Sequence, residues 1–199
     1  MNRKYHDTFY HGNFYHIFNR SINKEIIFRS SENCRYFLQQ WNKYLMDSLL
    51  VYAYCLLHTH FHFFARVNER FKIPEQFPDI NAYLENQFML FLRSYSKAFN
   101  KVYNRDGSLM KKSFRRIWVD NDRYFAAVIH YIHHNPIHHK CTTDFTTWTH
   151  SSYKAIISSK PTYVNRDGVL DWFGSKEEFI AFHQQDLDYD KIEKYIVEE

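Results

Sequence analysis

From Tyr52 to Val67 the chain reads YAYCLLHTHFHFFARV, and the second half of that run alternates. His60, His62 and Phe64 fall on one face of an extended strand, and Phe61, Phe63 and Ala65 on the other. The run Leu49 to Cys55 before it is also rich in β-formers, and the link between the two is short. The pair therefore predicts an antiparallel hairpin. Any fold for this chain has to place that hairpin, with two imidazoles side by side on one of its faces.

The remaining elements follow from periodicity. Phe14 to Asn19 alternates and reads as a strand, and Arg20 to Arg29 as a polar connection. Ser31 to Met46 is expected to be helical, with Ser30 or Ser31 able to cap it, Glu32 in its first turn, and Phe37, Trp41, Tyr44 and Leu45 at helical spacing. Ile80 to Tyr103 carries the clearest helical pattern. Leu84, Phe88, Phe91, Tyr95, Phe99 and Val102 form an apolar stripe, and Arg93, Lys97 and Lys101 a basic one. Phe114 to Val119 reads as a strand. Asp122 to His134 reads as a helix that should stop before Pro136, because the residue before proline avoids the α region. Weaker helical patterns follow around His150 to Ile157 and Lys176 to His183.

The order strand, helix, strand, strand, helix, strand, helix predicts an α+β, ferredoxin-like antiparallel sheet with helices on one face and a C-terminal helical tail. The hairpin strands are expected at the centre of that sheet. With 199 residues, one domain over 1–158 and an extension over 159–199 is the expected organisation. Four Gly and four Pro argue against disorder and against glycine-rich phosphate loops. Three widely spaced cysteines, with neither a disulfide framework nor a CxxC pattern, fit a reducing cytoplasm. There is no apolar signal core and no apolar run near 18 residues, so neither secretion nor a membrane partner is expected.

Two imidazoles two residues apart on a strand lie about 7 Å apart on the same face, and their nitrogens can converge on one cation. The spacing alone is weak: 13 histidines in this length give roughly one His-x-His by chance. A polar patch of hydrogen-bonded histidines explains it equally well. Tyr131 and Asn135 are i and i+4 on one predicted helix and so face the same way. Packed on the histidine face, that helix would bring a phenol and an amide oxygen, a hard ligand, to the cation. The alternative is a core tyrosine and a helix-capping asparagine. His130, His133, His134, His138, His139 and Cys141 are too irregularly spaced to read as a zinc site. The net charge of +4 permits a polyanionic partner without requiring one. Lys111, Lys112, Arg115 and Arg116, together with Arg93, Lys97 and Lys101, could line a phosphate track beside aromatic rings able to stack bases.

With these residues in place, the chain resembles the single-tyrosine HUH transposases, and most closely their REP-associated tyrosine transposase branch. The resemblance rests on FYHIFNRSINKEIIF, VYAYCLLHTHFHFF, SYSKAFNKVYNRDGSLMKKSFRR, RYFAAVIHYIHHNP and WTHSSYKA, in the family's order over roughly residues 14–157. It implies that His60 and His62 bind a divalent metal, Mg²⁺ or Mn²⁺, with Asn135 as third ligand, and that Tyr131 is the nucleophile. It further implies a metal-dependent single-stranded DNA endonuclease and strand transferase, a transposase that forms a 5′-phosphotyrosine intermediate. The DNA partner would be single-stranded and hairpin-containing, with Arg20, Lys111, Arg115 and Arg116 at its phosphates. The family includes monomers and dimers that exchange the tyrosine helix, so a homodimer is among the arrangements it allows. A domesticated relative that holds DNA hairpins without cutting is the competing expectation. The chain departs from the family pattern at His58-Thr59, where Pro-Asn is usual, at Ser21, where glycine is usual, and after Asn135-Pro136, where IHHKC replaces the usual small, glycine-containing turn.

Overall fold

The computed structural model describes residues 5–196. Strands β1 (Phe14–Arg20), β2 (Leu49–Leu57), β3 (His60–Val67) and β4 (Arg115–Trp118) form one sheet in the order β2-β3-β1-β4, with every neighbouring pair antiparallel. Helix α1 (Ser31–Leu45) joins β1 to β2, and α2 (Ile80–Val102) joins β3 to β4. This is the ferredoxin-like α+β arrangement expected from the element order.

The hairpin is not central, however. The crossover through α1 skips one strand position, and β3 fills that position on its return, so β1 and β3 are the inner strands and β2 is an edge. Both edges are covered. Leu56 N–H donates to the His150 carbonyl at 2.8 Å, Ser152 N–H to Tyr54 at 2.9 Å and Asn165 N–H to Val51 at 2.7 Å, so the tail occupies the open side of β2. On the other edge, Arg116 N–H donates to the Tyr5 carbonyl at 2.9 Å. Pairing of this kind removes the exposed ladder groups that make edge strands sticky.

Helix α1 starts at Ser30, whose hydroxyl accepts from Asn33 N–H, and α2 starts at Asp79, whose carboxylate accepts from Ala82 N–H at 2.7 Å. The two helices cover one sheet face. Leu84, Phe88, Phe91, Tyr95 and Phe99 are buried there as the stripe predicts, whereas Val102, the last helical residue, is exposed. Trp41 lies flat on Phe63, with ring centroids 3.6 Å apart.

The second face is covered as well. Phe14, Phe18, His62 and Phe64 make it too aromatic to leave in water, and α3 (Phe125–His138) packs across β2 and β3. Helices α4 (Tyr153–Ile157), α5 (Arg166–Phe173) and α6 (Lys176–His183) complete this side. Val164, Val169, Phe179, Ile192, Tyr195 and Ile196 belong to the same buried cluster as Tyr131. Neither α5 nor the 3₁₀ turn Asp190–Tyr195 was expected from periodicity. A bulge at Tyr52 interrupts the β2–β3 register between Val51 and Ala53, and beyond it Cys55 and Leu57 join the α3 side.

The expected stop before Pro136 is also corrected: α3 runs on to His138 with Pro136 in its last turn. Proline cannot donate to the carbonyl one turn back. The turn is closed instead by His139 N–H to the Asn135 carbonyl at 2.9 Å and Cys141 N–H to the Pro136 carbonyl at 2.8 Å. No helix among the described residues is long and apolar enough to cross a membrane.

Candidate active site

Strand parity puts His16 and Phe18 of β1 and His60 and His62 of β3 on the face that α3 covers. Tyr131 and Asn135 both lie on that helix and are buried. The Tyr131 ring stands edge-on to His62, with centroids 6.2 Å apart and planes at 89°, and 6.1 Å from His16. The rings of His60 and His62 are 5.2 Å apart. The structure therefore brings His60, His62 and Tyr131 into one cluster, with Asn135 one helical turn along from the tyrosine.

The polar atoms of this cluster are unevenly satisfied. The Asn135 amide nitrogen donates to the Tyr131 carbonyl at 2.9 Å, which fixes the orientation of the amide. Its oxygen, Oδ1, is buried without a hydrogen-bond partner, and so is Nε2 of His62. Leaving such an atom unsatisfied costs about 1–3 kcal/mol, so each of the two calls for a partner. A cavity of about 10 Å³ beside His62, lined also by Asn19, Arg20, His60 and His139 but not by Asn135, is the size of one water molecule or ion. Among the described residues no three His, Cys, Asp or Glu side chains are set around a common ion position. Of the residues that line this cavity, His60, His62 and His139 could offer a cation a nitrogen and Asn19 an oxygen.

Burial pushes the His62 imidazole well below its usual range, helped by neighbouring His16, His60 and His139. Burial likewise brings His60 down to about 3, with His139, Arg20 and His58 adding to the effect. Both rings are neutral at physiological pH, the state in which imidazole offers a lone pair to a metal. Nε2 of His60 lies 3.2 Å from Nε2 of His139, and its Nδ1 lies 3.0 Å from the Thr59 hydroxyl.

The sequence gives no sign of three further members of the cluster. His139 follows the end of α3, beyond the proline at which that helix was expected to stop. His16 looks like one polar residue in an aromatic strand, but its Nε2 lies 2.9 Å from Nδ1 of His62. Tyr189, in the tail, packs edge-on to Tyr131 with centroids 5.4 Å apart. Its hydroxyl is 2.7 Å from Nδ1 of His130. Because Nε2 of His130 faces the Gln185 carbonyl and must donate to it, Tyr189 donates to Nδ1.

The four basic residues read as phosphate contacts separate. Arg20 lines the small cavity; Lys111, whose backbone N–H donates to the Arg20 carbonyl at 2.9 Å, lines a separate hollow with Arg93, Lys112 and Arg116. Arg115 faces the α3 side, over the rings of Tyr5 and Phe18. Arg116 points the other way, into the α1–α2 side. It is buried there between Phe9 and Phe114, donates to the Asp7 carbonyl, and pairs with Glu85 at 2.6 Å. This placement commits the Arg116 guanidinium to protein partners on the side opposite Arg115, since adjacent strand residues face opposite sides.

No family model matches the chain, and no curated protein matches it. Among solved structures the chain is similar to a REP-associated tyrosine transposase bound to a REP hairpin, with a TM-score of 0.56 and 15% identity. The match covers 79% of this chain and 87% of the other. At that identity the likeness establishes a shared fold.

Proposed function

We propose that this protein is a metal-dependent single-stranded DNA endonuclease and strand transferase whose nucleophile is Tyr131. The observation that supports it most is that His62 Nε2 and Asn135 Oδ1 are both buried and unsatisfied, the first on a ring edge-on to Tyr131 and the second one helical turn from it, in a fold shared with a hairpin-bound tyrosine transposase. His60, His62 and Asn135 would hold the cation, Mg²⁺ or Mn²⁺. When bound, it supplies Lewis-acid polarisation of the scissile phosphate. Imidazole nitrogens suit Zn²⁺ or Ni²⁺ better than Mg²⁺, so the choice of metal rests on the family resemblance.

The chain's own residues account for the rest. The Tyr131 oxygen bonds to phosphorus, the 3′ oxygen leaves with its bonding electrons and takes up a proton, and a 5′-phosphotyrosine linkage forms. A phenol is protonated at neutral pH and must lose its proton as that bond forms. We assign that proton to His138, which is exposed and whose ring lies 5.6 Å from that of Tyr131. Attack by another 3′ hydroxyl reverses the step and joins strands without ATP. Arg20, Lys111 and Arg115 would neutralise the phosphates of a hairpin-bearing strand.

One observation favours a second reading, a DNA-hairpin-binding protein that does not cut. Tyr131 is only 3% exposed, packed beneath Tyr189 and beside His16. The deciding experiment mixes the protein with end-labelled single-stranded DNA carrying hairpins from the flanks of its own gene, plus Mn²⁺. A covalent DNA–protein adduct on a denaturing gel is expected, absent in Tyr131→Phe. Hairpin binding without an adduct across several metals would establish the non-cutting reading instead.

A further inference from the structure

We infer that His16 is a positioning residue that fixes which nitrogen of His62 carries the proton, so that the Nε2 lone pair of His62 faces the site. The inference rests on the proposed metal reading for its purpose and on hydrogen-bond directions for its content. Nδ1 of His16 lies 2.7 Å from the Tyr195 carbonyl, which can only accept, so this nitrogen must carry a hydrogen and donate. His16 is wholly enclosed, and among the described residues no carboxylate is bonded to its ring, so it carries one proton and its Nε2 is an acceptor. That Nε2 lies 2.9 Å from Nδ1 of His62. Nδ1 of His62 must therefore be the donor, which leaves its Nε2 without a hydrogen. Nε2 is also the atom that is buried with no hydrogen-bond partner.

The chain of bonds thus runs from the backbone carbonyl of Tyr195, through two imidazoles, to a bare lone pair beside Tyr131. Each link is set by the one before it, and the first is a main-chain carbonyl, whose acceptor role is fixed. His60 has no such anchor: its Nδ1 meets the Thr59 hydroxyl, which can donate or accept. Metal-ligating histidines commonly have their second nitrogen held in this way, and the holding group sets ring orientation and tautomer. Here the far end of the chain of bonds lies in the 3₁₀ turn Asp190–Tyr195, so the C-terminal segment also takes part in presenting His62.

The test uses the whole chain without DNA. Long-range ¹H–¹⁵N NMR of the imidazoles in the metal-free wild type should show His62 as the Nδ1–H tautomer. Mn²⁺ titration followed by electron paramagnetic resonance should show His16→Phe, which fills the space but offers no acceptor, binding about 10–100-fold more weakly. His16→Gln, which keeps a donor and an acceptor, should recover most of the loss. An Nε2–H tautomer for His62 in the wild type overturns the inference directly, whether or not any variant folds. So does a folded His16→Phe that binds Mn²⁺ as the wild type does. A wild type that shows the Nδ1–H tautomer but binds no divalent ion overturns the metal reading, and with it the purpose given to His16, while leaving the hydrogen-bond chain in place.

Discussion

Arg115 and Arg116 show how much one position along a strand decides. Arg116 is buried, with its side chain 5% exposed, and is held by Glu85, the Asp7 carbonyl, Asn81 and two aromatic rings. Glu85 itself is half exposed, so water screens the ion pair and most of the loss on truncation comes from the buried hydrogen bonds and packing. Arg116→Ala is expected to destabilise the fold by about 2–4 kcal/mol. Arg115→Ala should stay within about 1 kcal/mol of wild type and weaken hairpin binding. Urea denaturation of both variants, with hairpin titration of whichever is folded, checks this. An Arg116→Ala protein as stable as wild type would refute the structural role. The split was legible in principle, because strand parity forbids two adjacent arginines from sharing a face. That His60 and His62 share a strand face, and Tyr131 and Asn135 a helix face, could be read from spacing because each pair lies within one short periodic run. His16 and His139 could not, because their roles depend on contacts 46 and 79 residues away in sequence.

At the scale of elements, the histidines of α3 that looked like scattered metal ligands tie the tail to the sheet. His183 Nδ1 donates to the Phe179 carbonyl at 2.8 Å, so its Nε2 accepts from His133 Nδ1 at 2.9 Å. Nε2 of His133 then accepts from the Ser152 hydroxyl at 2.7 Å, and that hydroxyl oxygen accepts from Tyr54 N–H at 2.9 Å. One chain of bonds thus links α6, α3, the start of α4 and β2. Ser152→Ala removes the donor to a buried imidazole and the acceptor of a strand N–H together. It should cost about 2–6 kcal/mol, at 1–3 kcal/mol for each of the two stranded groups. Ser158→Ala, at the half-buried C-terminal end of α4 where among the described residues the hydroxyl meets only the exposed Lys160 N–H, should fall within about 0.5 kcal/mol of wild type. Equal denaturation midpoints for the two variants would mean that the chain of bonds contributes little. Periodicity found α1, α2 and β3 because each carries a long one-sided pattern. It missed the Tyr52 bulge and α5, whose placement depends on long-range pairing with β2 and on a core assembled from distant segments.

For the molecule as a whole, a second core built around neutral histidines makes stability depend on pH. Burial holds His130 at about 3, assisted by His134 and His183, and burial holds His183 at about 3, with His134 acting in the same direction. Around these rings lie the Tyr189 hydroxyl, the Gln185 and Phe179 carbonyls, and His133 and His134; Asp186 acts on His134 in the opposite sense. In the unfolded chain a histidine titrates near 6.5. Between that value and the folded one, the unfolded state binds protons that the folded state does not, so stability rises with pH in this window and falls on acidification. Above pH 6.5 the full stability is present. By pH 5 each ring has removed about 2 kcal/mol, and the two together about 4 kcal/mol, a large share of the 5–15 kcal/mol typical of a domain. The loss therefore begins above the range where carboxylates titrate. Urea midpoints measured from pH 8 to pH 4.5, with chelator present to exclude metal linkage, should fall steeply below pH 6.5. His183→Gln, though less stable at pH 8, should fall with a slope shallower by about one proton. A wild-type midpoint that stays level down to pH 4.5 would mean that these rings either are charged in the folded protein or reach water in a way their burial does not suggest.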